Sequence, residues 1–223
     1  MSSSSVTVTN VVSLVNLIDQ HQANPKIDLK PIIENPCKTY SLESNPGSFP
    51  GVRMMIDKPR TTGLIFESGK LMCLGAKSEN ESRKAARRMA RIISKLPVNQ
   101  RIIFRNFQIK NVVGRAEIGH SVDHVELAKF LGLPIKPCED ETKKFKPKVI
   151  DYHMSEPKVQ MKIFRSGKVT IFGCKSVSDL HTAWQVFTER VTELQYSNCS
   201  YCKLAESSQH SKRTRYEIPP TFK

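Results

Sequence analysis

Between Val159 and Phe172 apolar and polar residues alternate with a period of two. Val159, Met161, Ile163, Val169 and Ile171 fall on one side of the extended chain, and Gln160, Lys162, Phe164, Thr170 and Phe172 on the other. Ser166-Gly167 interrupts the run with a turn signal, so the stretch predicts a β-hairpin with one buried face. A second stretch is arranged in the same way around Ser68-Gly69. Gly63, Ile65, Leu71 and Cys73 hold the buried parity there, while Thr62, Leu64, Phe66, Met72 and Leu74 hold the opposite one. In this first hairpin the outward set is mostly apolar as well. Helices can cover one face of such a sheet; the other needs a further layer of the same chain or a partner.

The remaining elements follow from the same reasoning. Val6–Leu17 is rich in β-branched residues and reads as a strand, Ile27–Asn35 as a short helix stopped by Pro36, and Cys37–Tyr40 and Gly51–Asp57 as strands. Ser78-Glu79-Asn80-Glu81 is a capping box that opens a helix running to about Leu96, with Ala85, Met89, Ile92, Ile93 and Leu96 on one face and arginine and lysine around the rest. Pro97 ends it. The order then restarts: a strand over Ile102–Gly114, a short helix over Asp123–Leu131, a strand over Val149–Met154, the second hairpin, and a helix from Ser176 to about Leu194. Leu180, Ala183, Trp184, Phe187, Val191 and Leu194 form the apolar stripe of that last helix.

The recurrence is visible in the letters themselves. Pro59–Ser78 and Pro157–Ser176 share nine of twenty residues at a constant offset of 98. That period is too long for a solenoid unit and marks a duplicated half-domain. Asn10-Val11-Val12 is echoed by Asn111-Val112-Val113. The expected fold class is therefore α+β: two pseudo-symmetric repeats, residues 8–97 and 98–196, joining their strands into one antiparallel sheet with four helices on one face. Residues 1–7 are expected to be disordered, and residues 197–223 to form a basic, flexible tail.

Charge narrows the partner. Thirty-five Lys and Arg against 21 Asp and Glu give +14 in a 223-residue chain, which favours a polyanion such as nucleic acid. A basic but protein-binding surface fits the charge as well. The six cysteines are scattered, with Cys73 and Cys174 at buried strand positions, and there is neither a disulfide framework nor a long apolar span. A reducing, intracellular setting away from membranes is expected. Cys199-x-x-Cys202 near His210 is only half a zinc site. No nucleophile and base pair at useful spacing, and no phosphate-cradling glycine loop is present, so neither enzymatic activity nor a cofactor is expected.

The segments NVVSLVNL, PRTTGLIFESGK, GAKSENESRKAARRMARIISKL and NVVG, in this order, resemble the TATA-box-binding protein family over about Val8–Leu194. The resemblance implies a saddle, with helices on the convex face and the DNA minor groove on the concave one. It implies that Asn10 and Asn111 contact the groove floor, where an amide suits the acceptors of an A·T step. Val12 and Val113 would press on base edges. Phe49 and Phe66 would kink the duplex in the first half, with Phe145 and Phe164 in the second. Two residues more separate Phe145 from Pro157 than Phe49 from Pro59. Ser68, Lys70, Ser166 and Lys168 match positions that approach phosphates.

The chain also departs from the family pattern. Leu74 and Phe172 stand where the family has threonine, Met72 and Thr170 where it has valine, and Lys162 where it has leucine. Glu141-Thr142-Lys143-Lys144-Phe145 replaces the family's Glu-Pro-Glu-Leu-Phe, which speaks against contact with transcription factor IIB. Glu43 keeps a position associated with transcription factor IIA, and Arg83, Arg87, Arg88 and Arg91 lie on the helix that docks protein partners in the family. The sequence thus resembles a diverged relative. It is expected to be a nuclear factor that engages the minor groove of promoter DNA and recruits general transcription factors. The alternative is an adaptor of the same fold that binds protein partners with weak or no TATA preference; a dedicated protein cofactor is a further expected partner under either reading.

Overall fold

The structure is a computed structural model, described here for residues 5–21, 25–35, 40–43, 50–133 and 149–198. The expected positions Phe49 and Phe145, and the Cys199/Cys202 pair, lie outside the described residues. The elements in order are β1 (Thr7–Asn16), α1 (Lys30–Glu34), β2 (Tyr40–Glu43), β3 (Gly51–Asp57), β4 (Arg60–Phe66), β5 (Lys70–Ala76), α2 (Glu79–Ile93), β6 (Arg105–Glu117), α3 (His124–Phe130), β7 (Val149–Met154), β8 (Val159–Phe164), β9 (Lys168–Cys174) and α4 (Val177–Asn198). Nine strands form one antiparallel sheet in the order β2-β3-β4-β5-β1-β6-β9-β8-β7. About the central β1·β6 pair, β3-β4-β5 on one side match β7-β8-β9 on the other, as duplication requires, while β2 has no counterpart among the described residues.

Local chemistry explains where the elements begin and turn. Ser78 Oγ accepts from the Glu81 amide at 3.1 Å while Glu81 Oε2 accepts from the Lys77 amide at 2.6 Å, which completes the capping box of α2. At the matching place before α4, Asp179 Oδ2 accepts from the Lys175 and Ser176 amides and Ser176 Oγ accepts from the Asp179 amide, all at 3.0 Å. Both hairpins turn on a glycine in the left-handed region, Gly69 at φ 71° and Gly167 at φ 80°. A Cβ at Gly167 would also run into the carbonyl oxygen of His120. Gly167→Ala is therefore expected to lose at least about 1–3 kcal/mol from the backbone conformation alone. A lowered midpoint in urea would register it, and an unchanged midpoint would mean that the turn can adopt another form.

The alternation sorts the two faces cleanly. Ile65, Leu71 and Cys73 in the first hairpin, and Val159, Met161, Ile163, Val169 and Ile171 in the second, are buried beneath the helices. They belong to two separate cores. One packs Met54, Ile56, Ile65 and Leu71 with Ala85, Met89 and Ile93 of α2. The other packs Met161, Ile163 and Ile171 with Leu180, Ala183, Trp184 and Phe187 of α4. Cys73 and Cys174 are small buried thiols; burial pushes each up to about 11.

Element boundaries shift where tertiary contacts outweigh local pattern. Ile102 and Phe104, read as strand, instead pack on the first core, and Ile103 donates its amide to the Leu17 carbonyl at 2.7 Å. The β6 ladder begins at Arg105 and continues through Glu117, which pairs with Lys168 of β9. The helix α2 stops at Ile93 because the Lys95 and Leu96 amides bond three residues back, in a tighter turn. Three-residue offsets of this kind leave the sheet order untouched.

Candidate nucleic-acid interface

The helices cover one side of the sheet; the residues of opposite parity form its other, open side. At its centre lie four residues from the duplicated Asn-Val-Val segments. Asn10 pairs with Val113 and Val12 with Asn111, while Val11 and Val112 between them point into the buried side. The asparagine amides are oriented by the chain itself. Asn10 Oδ1 accepts from the Gly75 amide at 2.7 Å and Asn111 Oδ1 accepts from the Gly173 amide at 2.8 Å. An N–H can only face the oxygen, so in both halves the oxygen is committed to the neighbouring strand. The amino group is then what each side chain offers to an acceptor.

Outward from this centre the ladders define rows. In the first half Leu14 of β1 is opposite Met72, Met72 opposite Leu64, and Leu64 opposite Arg53. Thr62 and Leu74 form the next pair, and Phe66 is opposite Gly51 at the hairpin end. Leu64, Phe66, Met72 and Leu74 are all half-buried, neither packed in a core nor fully in water. Ser68 and Lys70 are exposed at the hairpin tip.

The second half repeats the geometry with other side chains. Arg115 of β6 is opposite Thr170, Thr170 opposite Lys162, and Lys162 opposite Asp151. Gln160 and Phe172 form the next pair, and the Lys162 ammonium lies 5.9 Å from the centre of the Phe172 ring. Phe164 is half-buried opposite Val149, with Ser166 and Lys168 exposed at the tip. Leu14 and Arg115 were not singled out by sequence reasoning. Carrying the period of two onward from Val12 and Val113 would have found both.

The expected partner-binding arginines lie on the helical side. The Arg83 guanidinium sits 4.2 Å from the centre of the Phe107 ring and that of Arg87 5.4 Å from Phe104, the two rings being stacked at 6.0 Å. Arg88 donates to the Lys58 carbonyl, and Arg91 is exposed in the last turn of α2. Glu43 ends β2, paired with Arg53. Among the described residues no group of three or more His, Cys, Asp or Glu is placed to hold a metal ion.

The sequence profile of the family described as transcription factor TFIID, or TATA-binding protein, matches residues 5–96 and 106–194, one segment for each half. The chain belongs to the TATA-box-binding protein family. It is 40% identical over 176 residues to TATA box-binding protein-like 2 of Rattus norvegicus, covering 79% of this chain and 46% of the relative. It is 38% identical over 179 residues to TATA-box-binding protein 2 of Arabidopsis thaliana, covering 80% of this chain and 82% of that protein. This chain thus spans about half the length of the first of these relatives. The solved structure of Methanococcus jannaschii TBP superposes with a TM-score of 0.61 at 29% identity, covering 84% of this chain and 98% of that one. The saddle of the family, a curved antiparallel sheet with helices on its convex side, is the fold of this chain.

Proposed function

We propose that the protein is a nuclear transcription initiation factor that seats the minor groove of promoter DNA on the open face of its sheet and recruits general transcription factors. The observation that carries this reading is the pair of asparagines at the sheet centre, each with its oxygen held by a glycine amide. Two amino groups related by the pseudo-twofold match the adenine N3 and thymine O2 acceptors that line an A·T minor groove. Val12, Val113 and the half-buried Leu64, Phe66, Met72 and Leu74 supply apolar contact around them, with Phe164 and Phe172 in the other half. Ser68, Lys70, Ser166 and Lys168 sit at the hairpin tips, where the backbones of a duplex lying along the sheet would pass. On the helical side the arginines of α2 are read as a surface for protein partners, a transcription factor IIA-like protein among them, and Glu43 at the end of β2 as a further contact for that partner. None of this chemistry needs a nucleophile or a metal.

Phosphate contact makes the reading measurable. The logarithm of affinity for an A·T-rich duplex is expected to fall linearly with the logarithm of salt concentration, as condensed counterions are released. Lys70→Ala and Lys168→Ala should each reduce the slope by about one. Titration by fluorescence anisotropy at several salt concentrations provides the check. A flat response would favour the adaptor reading, in which the surface where the α2 arginines lie against Phe104 and Phe107 is the principal binding site.

A further inference from the structure

The two halves of the open face are superimposable in backbone pairing but not in chemistry. Along the matched row, Leu14, Met72 and Leu64 in the first half become Arg115, Thr170 and Lys162 in the second. One strand further out, Arg53 of β3, itself opposite Glu43 of β2, becomes Asp151 of β7. Next along the same strands, Met55 becomes His153. Phe164, unlike a residue in an apolar strip, lines a recess of about 760 Å³ together with Arg115, Lys168, Ser166 and Thr170.

These differences bear on how DNA can be deformed. Opening and flattening a minor groove against a sheet requires a surface that loses its water cheaply. Leu14, Met72 and Leu64 do so. Arg115 and Lys162 do not, unless each finds an acceptor. Long cationic side chains can, however, reach into a groove while the backbone stands away from it. A narrow A·T groove has the strongest negative potential and presents only acceptors on A·T pairs, so it suits two such cations.

Resting on the minor-groove reading above, we propose that the halves deform DNA differently. The first half wedges the duplex open with its phenylalanine end and apolar strip. The second half holds an undistorted, narrow A·T groove through Arg115 and Lys162. The duplex is kinked at one end of the site.

The test uses the full chain and a palindromic A·T duplex carrying 2-aminopurine at both end steps, whose fluorescence rises when a base is unstacked. Phe66→Ala is expected to remove most of the fluorescence increase, about 5-fold or more, whereas Phe164→Ala retains most of it. Arg115→Leu with Lys162→Leu should raise the increase about 2-fold, because the second half can then flatten its groove too. If Phe66→Ala melts early, Phe66→Thr, better suited to a strand, serves in its place. Equal losses in the Phe66 and Phe164 variants, with binding intact, would overturn the one-sided kink and leave the minor-groove reading standing. Failure of the parent protein to bind any A·T duplex in a salt-dependent way would overturn both.

Discussion

Replacing both central asparagines, Asn10→Asp with Asn111→Asp, is expected to weaken binding to A·T-rich DNA by at least about 100-fold while the protein melts as the parent does. The logic lies in the division of labour within each amide. A carboxylate can still accept from the Gly75 and Gly173 amides, so the links between strands survive. What disappears is the donor, and a negative charge now faces the acceptors of the groove floor. A well-placed amide contact is worth about 1–3 kcal/mol, so two of them account for the loss even before repulsion is included. Anisotropy for binding and calorimetry for melting separate the two effects. A variant that binds normally but melts early would show that these asparagines serve the sheet and not a ligand.

The second large effect concerns stability, and it distinguishes the two sides of the sheet. Phe187 of α4 is fully buried, with its ring 5.8 Å from Trp184 and 6.0 Å from Tyr152. Phe187→Ala is expected to cost about 3–5 kcal/mol, through lost transfer energy and the cavity left behind. Phe66→Ala, on the open side, should cost less than about 1.5 kcal/mol, because a half-exposed ring gives up correspondingly less. Urea unfolding of the pair decides the matter. Comparable losses would mean that Phe66 belongs to the core and that the open face is smaller than its pattern implies.

Much of this arrangement was legible in the sequence, because each half writes its periodicity in a form that needs no long-range information. The Ser-Gly turns fix the hairpin register, and the register assigns Ile65 and Phe66 to opposite sides. The capping box at Ser78 starts α2 at the residue where it is observed. Failures came where the deciding partner lies far along the chain. Arg115 and Glu117 do not look like strand residues; they are in β6 because Thr170 and Lys168 of β9 pair with them. Ile102 and Phe104 have strand-like side chains but are held as a connection covering the first core. The stacking of Arg83 on Phe107 joins α2 to the start of β6, and no local pattern announces it. The orientation of the asparagine amides was hidden for the same reason, since the glycines that set it are 65 and 62 residues away.

The pleat of a β-strand gives each hairpin two independent alphabets. At matched positions the inward letters of the two copies stay apolar: Ile65 with Ile163, Leu71 with Val169, Cys73 with Ile171. The outward letters have diverged, from Leu64 to Lys162, Met72 to Thr170 and Leu74 to Phe172. Since each copy keeps a core largely of its own, shared at the seam through Val11 and Ala76, a change written on one outer surface reaches neither its own foundation nor that of its twin. A molecule built in this way can acquire handedness, telling one end of a symmetric ligand from the other, without renegotiating how it folds.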